Sequence, residues 1–417
     1  MKFWLCMFLA LFSLATVSQT LLAQSLSKQA AIERALERNL ALKRQRSLWE
    51  SAEARALMTL SPEKPVVSYY TEEMLNSPTE TQIVRRWQIS QGFEFPLTTY
   101  YRARSQAKLA ASLESETAEL RNEIVASVRI AYASALVAES MLRLAEENRA
   151  VSQRFYEMSK RLSDVGEASE LQVLRAKAEL SRAENALADA HATFAEAKQR
   201  LALLMGNPAD TAFRLSDSLR GAFPVFDFAM LYRAALESRP LLKAMQARLE
   251  SAELARSAAY LALLPSFRLT IFQQRFAPAE NPFQNFYGGE ISLSVPLWFW
   301  LEGRGEIEEK SALLRAQEHE TRLAIQQLET ELRNAFVRYE SAKTQAQRAE
   351  TEERAAAERA FRAAERLLQT GNIGYIEFLE AKRAYFDSEK NALEKRFLAE
   401  RALAELLRAA GILNFNE

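Results

Sequence analysis

Few residues in this chain have the types and spacing that chemistry demands. Glu377 and Glu380 stand three apart at the start of the last helical run, so they share one helix face. Like charges so placed repel one another and attract cations, which would suit a charged constriction in a watery passage. An acidic first turn also complements the helix dipole, and the residues themselves leave both readings open. His191 and His319 are the two histidines, one in each half of the chain. A metal site needs several converging ligands, and no His/Cys cluster surrounds either one, so both read as structural or solvent-facing. Gly303-Arg304-Gly305 lacks the Lys-Ser/Thr of a phosphate loop and reads as easing a strand-to-helix passage. Arg102 and Arg304 stand near such passages, where each could anchor a helix start or simply be solvated. No catalytic constellation is present, so the chain reads as a non-enzyme without cofactor or resident metal.

The elements that carry these residues are written twice. Ser51-Ala52-Glu53 returns as Ser251-Ala252-Glu253, and Ala35-Leu36-Glu37 as Ala235-Leu236-Glu237. Phe95-Pro96-Leu97 returns as Val295-Pro296-Leu297, and Met205-Gly206 as Ala410-Gly411. Each copy reads helix, strand, strand, very long helix, turn, helix, a unit too long for a solenoid repeat. The expected organisation is a first repeat over 24–210 and a second over 225–411.

Ile124, Val128, Ala131, Ala135, Ala138 and Leu142 recur in alternating steps of four and three, the seam of packed helices. The pattern returns at Leu328, Leu332, Ala335, Tyr339, Ala342 and Ala346, and in a shorter helix from Leu180 to Leu204. Neither Pro nor Gly falls between Thr99 and Ser163, or between Glu306 and Thr370. Unbroken helices of that length run to roughly 100 Å at about 1.5 Å per residue, more than a compact domain needs. Val165-Gly166 ends the first and Thr370-Gly371 the second, with Gly suited to the left-handed backbone of a helix cap.

Four stretches alternate with the period of a sheet that has one oily and one wet face: 66–74, 86–95, 267–276 and 287–295. Trp87, Ile89 and Phe93 share one face of the second stretch; Arg86, Gln88 and Ser90 share the other. Each stretch is long enough to cross a membrane when tilted, and rings at Tyr100-Tyr101 and Trp298-Phe299-Trp300 suit its interface. Four strands cannot close a spanning barrel, and open edges in lipid cost several kcal/mol per unpaired group. Other copies of the chain must therefore complete the sheet.

The 54 basic and 54 acidic side chains cancel, which gives no reason to expect nucleic acid. Lys2, an apolar run from Phe3 to Leu14, and Ala23 before Gln24 predict a secretory signal over 1–23, with an earlier cut after Ala15 as an alternative. The sole cysteine, Cys6, falls inside it, so the processed chain would have no thiol. No later stretch reads as apolar enough for a spanning helix.

With these features in order, the chain resembles the TolC-type outer-membrane efflux proteins from about Leu26 to Gly411. The resemblance rests on the two-copy layout and on the strand exits at Pro96 and Pro296. It rests also on the tip segments Arg161-Leu162-Ser163-Asp164-Val165-Gly166 and Leu367-Leu368-Gln369-Thr370-Gly371. It implies a mainly α fold with a small β part. Three chains would build an outer-membrane β-barrel with four strands each, continued by a long α-helical barrel through the periplasm. The implied partners are a periplasmic adaptor, an inner-membrane pump and outer-membrane lipid. The segment Gln91 to Pro96 looks most like the branch serving heavy-metal or multidrug pumps of the resistance-nodulation-division type. By the same resemblance Glu377 and Glu380 line the periplasmic gate, once per chain, since Gln172 and Arg175 hold the corresponding places in the first copy. Val165, Gly166, Thr370 and Gly371 form the adaptor-docking tips. The expected function is a passive duct exporting metal ions or small toxic compounds. Type I protein secretion is an alternative duty, and a periplasmic adaptor or soluble coiled-coil scaffold is a rival of another class.

Overall fold

The computed structural model describes residues 24–77, 80–219, 221–278, 284–370 and 372–412. The expected signal segment and Gly371 lie outside them. The chain begins with β1 (Gln24–Leu26), α1 (Lys28–Arg38), α2 (Leu40–Thr59), β2 (Val66–Ser77) and β3 (Glu80–Phe93). It continues through α3 (Pro96–Asp164), α4 (Glu170–Leu204), β4 (Phe213–Leu215), α5 (Phe228–Ser238) and α6 (Pro240–Leu261). Last come β5 (Ser266–Pro278), β6 (Gln284–Ser294), α7 (Glu302–Arg348), α8 (Arg354–Gln369) and α9 (Tyr375–Ala409).

The chain divides into two compact units. One holds 41–120 and 236–330, with α2, α6, the β2–β3 and β5–β6 strands, and the first parts of α3 and α7. Its sheet runs β2-β3-β5-β6, every neighbour antiparallel. The strands extend beyond the alternating stretches: β3 starts at Glu80, β5 reaches Pro278 and β6 starts at Gln284. Ladder hydrogen bonds are made by backbone, so pairing continues into turn-prone sequence where the side chains no longer alternate. At the other end the strands stop at Phe93 and Ser294, just before Pro96 and Pro296, which cannot donate to a ladder.

The other unit holds 1–40, 121–235 and 331–417. Its core is the predicted seam: Val128, Ala135, Leu332, Tyr339 and Ala346 are fully or almost fully buried. One stretch of α3 is in fact apolar enough by composition to cross a membrane, contrary to the sequence reading, but it is mostly buried in this core. Parallel strands β1 and β4 lie against α3, where the Tyr132 hydroxyl donates to the Leu26 carbonyl at 2.7 Å. Tyr339 on α7 donates likewise to the Pro224 carbonyl at 2.6 Å. Burial pushes the Tyr132 hydroxyl up to about 12 and Tyr339 in the same direction. Tyr132→Phe should lower stability by only about 1 kcal/mol, because the Ser216 N–H also serves Leu26 O. The thermal midpoint in detergent checks this.

α3 is unbroken over 69 residues. The second long run is not: a π turn over Ala349–Glu353 separates α7 from α8, where the Arg354 N–H bonds the Ala349 carbonyl. The cause lies in the seam. After Ala346 and Ala349 the next buried positions are Phe361 and Ala364, with Ala357 half-buried, so the alternation of four and three slips. A wide turn absorbs the extra residue and keeps Phe361 facing inward.

Candidate functional site

Both tips and the acidic pair belong to the second unit. α3 ends at Asp164, and Gly166 takes a left-handed backbone with φ 81°. The Glu167 N–H reaches back to Leu162 O at 2.8 Å, closing the helix in the manner of a Schellman cap. Ser169 then caps α4 by accepting from the Gln172 N–H. Val165 is exposed at the crest. At the other tip the Asn372 N–H reaches Leu367 O at 2.9 Å, and Thr370 Oγ1 donates to Leu367 O at 3.1 Å while accepting from Asn372 Nδ2.

Glu377 and Glu380 are both exposed on α9, while Phe378 between them is buried. Neither pairs with a basic side chain among the described residues. Glu377 does more than line a surface: its Oε2 lies 2.7 Å from where a Cβ on the N-cap residue Gly374 would sit. That carboxylate folds over the first turn of α9, where the helix dipole favours it. The helix-dipole reading therefore has geometric support at Glu377, and Glu380 is the less engaged of the two.

One aromatic core lies behind both tips. Val151 and Phe155 from α3, Ala176 from α4, Phe361 and Ala364 from α8, and Phe378 and Phe386 from α9 pack together. Phe155 stacks on Tyr375 at 4.9 Å and on Phe378 at 5.1 Å; Phe361 stacks on Tyr385 at 5.0 Å. Polar ties surround the core. Glu179 on α4 accepts from Arg182 at 2.6 Å and from Arg383 on α9. Arg354 on α8 donates to Glu389 at 2.6 Å, and Lys382 to Ser152 Oγ at 2.5 Å. Sequence reading passed over these residues, although Phe378, Lys382 and Phe386 stand at the four-residue spacing of one helix stripe. His191 and His319 are exposed on α4 and α7. Arg102 does tie a helix start, pairing with Glu94 at 2.8 Å, whereas Arg304 pairs along its own helix with Glu308.

The sheet has its own geometry. Val67, Tyr69, Trp87, Ile89, Leu269 and Ile271 are exposed on one face, together with Tyr287 (77%) and Ile291 (78%). Ser90 and Thr270 on the opposite face are only 8% and 6% exposed, with their hydroxyls 3.0 Å apart. Beside them Arg86 Nε donates to Gln274 at 2.8 Å, and its guanidinium lies 4.7 Å from the Phe272 ring centre. A sheet in water covers its oily face and wets the polar one. This sheet does the opposite, as a lipid-facing barrel does.

An outward-oily sheet in a chain of paired long helices is the fold of an outer-membrane channel. The outer-membrane channel OprN matches it with a TM-score of 0.77 at 20% identity, over 92% of this chain and 89% of that one. The Neisseria gonorrhoeae MtrE outer membrane channel, solved in its open state, matches with a TM-score of 0.77 at 18% identity, over 92% and 88%. The chain belongs to the outer membrane efflux protein family, whose profile matches residues 31–207 and again 231–412. It resides in the outer membrane, with its helical part in the periplasm, and the family's members are channels rather than enzymes. Among characterised relatives, the cobalt-zinc-cadmium resistance protein CzcC of Cupriavidus metallidurans is 24% identical over 277 residues, or 66% of this chain. The match spans 64% of that relative's length.

Proposed function

We propose that this chain is the outer-membrane duct of a tripartite efflux system, working as a homotrimer with a periplasmic adaptor and an inner-membrane pump of the resistance-nodulation-division type. The observation that carries the reading is the inverted sheet, with Trp87, Ile89, Ile271 and Ile291 exposed on one face and the Ser90–Thr270 hydroxyl pair buried on the other. Its outer edges, on β2 and β6, have no strand partner among the described residues. In lipid such edges need partners, and three copies would bring twelve strands, enough to close a spanning barrel. The two repeats, 24–210 and 225–411, would each supply two strands and one helical hairpin. Transport through a watery bore needs no bond-breaking residue. Metal ions are the favoured cargo because the relative named for cobalt, zinc and cadmium resistance aligns over most of this chain.

Within this duct Glu377 and Glu380 would form the periplasmic gate, and Val165, Gly166, Thr370 and Gly371 the adaptor dock. The test is made on purified protein in planar bilayers. Wild type should migrate as a heat-modifiable oligomer and conduct with preference for cations. Glu377→Gln with Glu380→Gln should lower that preference by about tenfold, since the ring of carboxylates concentrates cations at the mouth. Unchanged selectivity would leave the pair with a helix-dipole role alone. A monomer that stays soluble without detergent would refute the duct.

A further inference from the structure

α9 carries a buried charge at one helix position in three successive heptads: Lys382, Glu389 and Arg396. None is more than 9% exposed. Their neutralisation differs along the helix. Arg396 donates to Gly221 O at 2.9 Å, lies 3.2 Å from Glu400 and 3.6 Å from Glu350, and covers the Phe223 ring. Glu389 accepts from Arg354 at 2.6 Å. These two pairings hold α9 at the π turn, Arg396 to Glu350 within it and Glu389 to Arg354 directly after it. Lys382, nearest the tip, has one hydrogen-bond partner among the described residues, the Ser152 hydroxyl at 2.5 Å, and lies at the long distance of 5.8 Å over the centre of the Phe386 ring.

We propose that Lys382 is a built-in loosening charge, which biases the four-helix tip towards parting while Glu389 and Arg396 keep the α8–α9 hairpin intact. The inference rests on the duct reading, in which the tip must open. The physical cause is that a cation among aromatic side chains loses its hydration, and one hydroxyl returns little of it. The charged groups around it do not remedy this. Glu179 on α4 attracts the ammonium but is engaged by Arg182 and Arg383, and Arg383 on α9 itself repels it. α3 presents the neutral Ser152, and α8 presents Phe361 to the core while its Arg354 is taken by Glu389.

Burial accordingly lowers the Lys382 ammonium from 10.5 to about 8. The packed tip thus holds this proton less tightly than a water-filled, parted tip would. Protonation favours parting; the bias is complete below about pH 8 and fades as pH rises towards 10.5. That gap corresponds to a bias of up to ~300-fold in the parting equilibrium. Tyr385, pushed up to about 12 by burial, stays neutral across that window.

The experiment compares wild type with Lys382→Met, a variant of similar volume that removes the charge. Amide hydrogen exchange of residues 375–386 in the purified oligomer at pH 7 should slow at least tenfold in the variant. In bilayers the open fraction of wild type should fall between pH 7 and pH 10, while the variant should be low and flat. Lys382→Gln, which is neutral but polar, should behave like the Met variant and guards against a packing artefact. Exchange as fast in both neutral variants as in wild type would overturn the proposal, as would an unaltered pH profile. A wild type that conducts nothing would instead strike at the duct reading, with the exchange comparison still deciding the role of the lysine.

Discussion

Chains carrying Gly166→Trp should fold and assemble like wild type and yet lose at least tenfold of the metal tolerance expected of the proposed duct. A Cβ at Gly166 would meet nothing within 4 Å, so an indole there projects into solvent and disturbs no core contact. The left-handed φ of 81° adds backbone strain of about 1–2 kcal/mol, confined to the turn. What the indole does obstruct is any surface that must seat on this tip. Gly166→Asn should keep both assembly and export, because Asn accepts the left-handed conformation without bulk. Gly206 provides the contrast, being equally left-handed at φ 79° but with its would-be Cβ 2.8 Å from Arg38 Cβ. Substitution there should reduce folded protein. Native gel mobility and growth in metal separate the outcomes: full export from the Trp variant would remove the docking role, and failure to assemble would make the glycine purely structural.

Glu119→Ala should destabilise the sheet-bearing unit by about 3 kcal/mol. Glu119 on α3 and Arg239 at the start of α6 are both buried, with Arg239 Nε and Nη2 at 3.3 and 3.2 Å from Glu119 Oε1. Removing the carboxylate takes the shared acceptor from two N–H groups of a guanidinium that is only 3% exposed. The thermal midpoint should fall by several degrees. Glu119→Gln, which keeps a carbonyl acceptor, should lose less, and Glu119→Leu combined with Arg239→Met should recover much of the loss. Equal midpoints for Glu119→Ala and wild type would mean that the pair is hydrated in the assembled protein.

How far the sequence was readable depended on whether a feature is periodic. The helix seams were legible because packing repeats with the helix turn, so the spacing of Val128, Ala135, Leu332 and Tyr339 alone marks them as buried. The strand stretches were legible for the same reason, although their ends in turn-prone sequence were not. The π turn was hidden, because Ala349 to Glu353 has ordinary helical composition and only the spacing of covered residues around it slips. Lys382, Glu389 and Arg396 were hidden too: a charge reads as surface until a facing helix is seen to bury it.

The sequence by itself determined which stretches are helix and strand, which face of each is oily, and where each run turns, because these follow from local backbone preference and spacing. Only the tertiary structure decided which face of the sheet meets the surroundings and which charges are enclosed. It also brought one aromatic core behind both tips. Those outcomes depend on contacts between segments far apart in the chain, such as Ser152 with Lys382 or Ser90 with Thr270, and no local pattern encodes a partner.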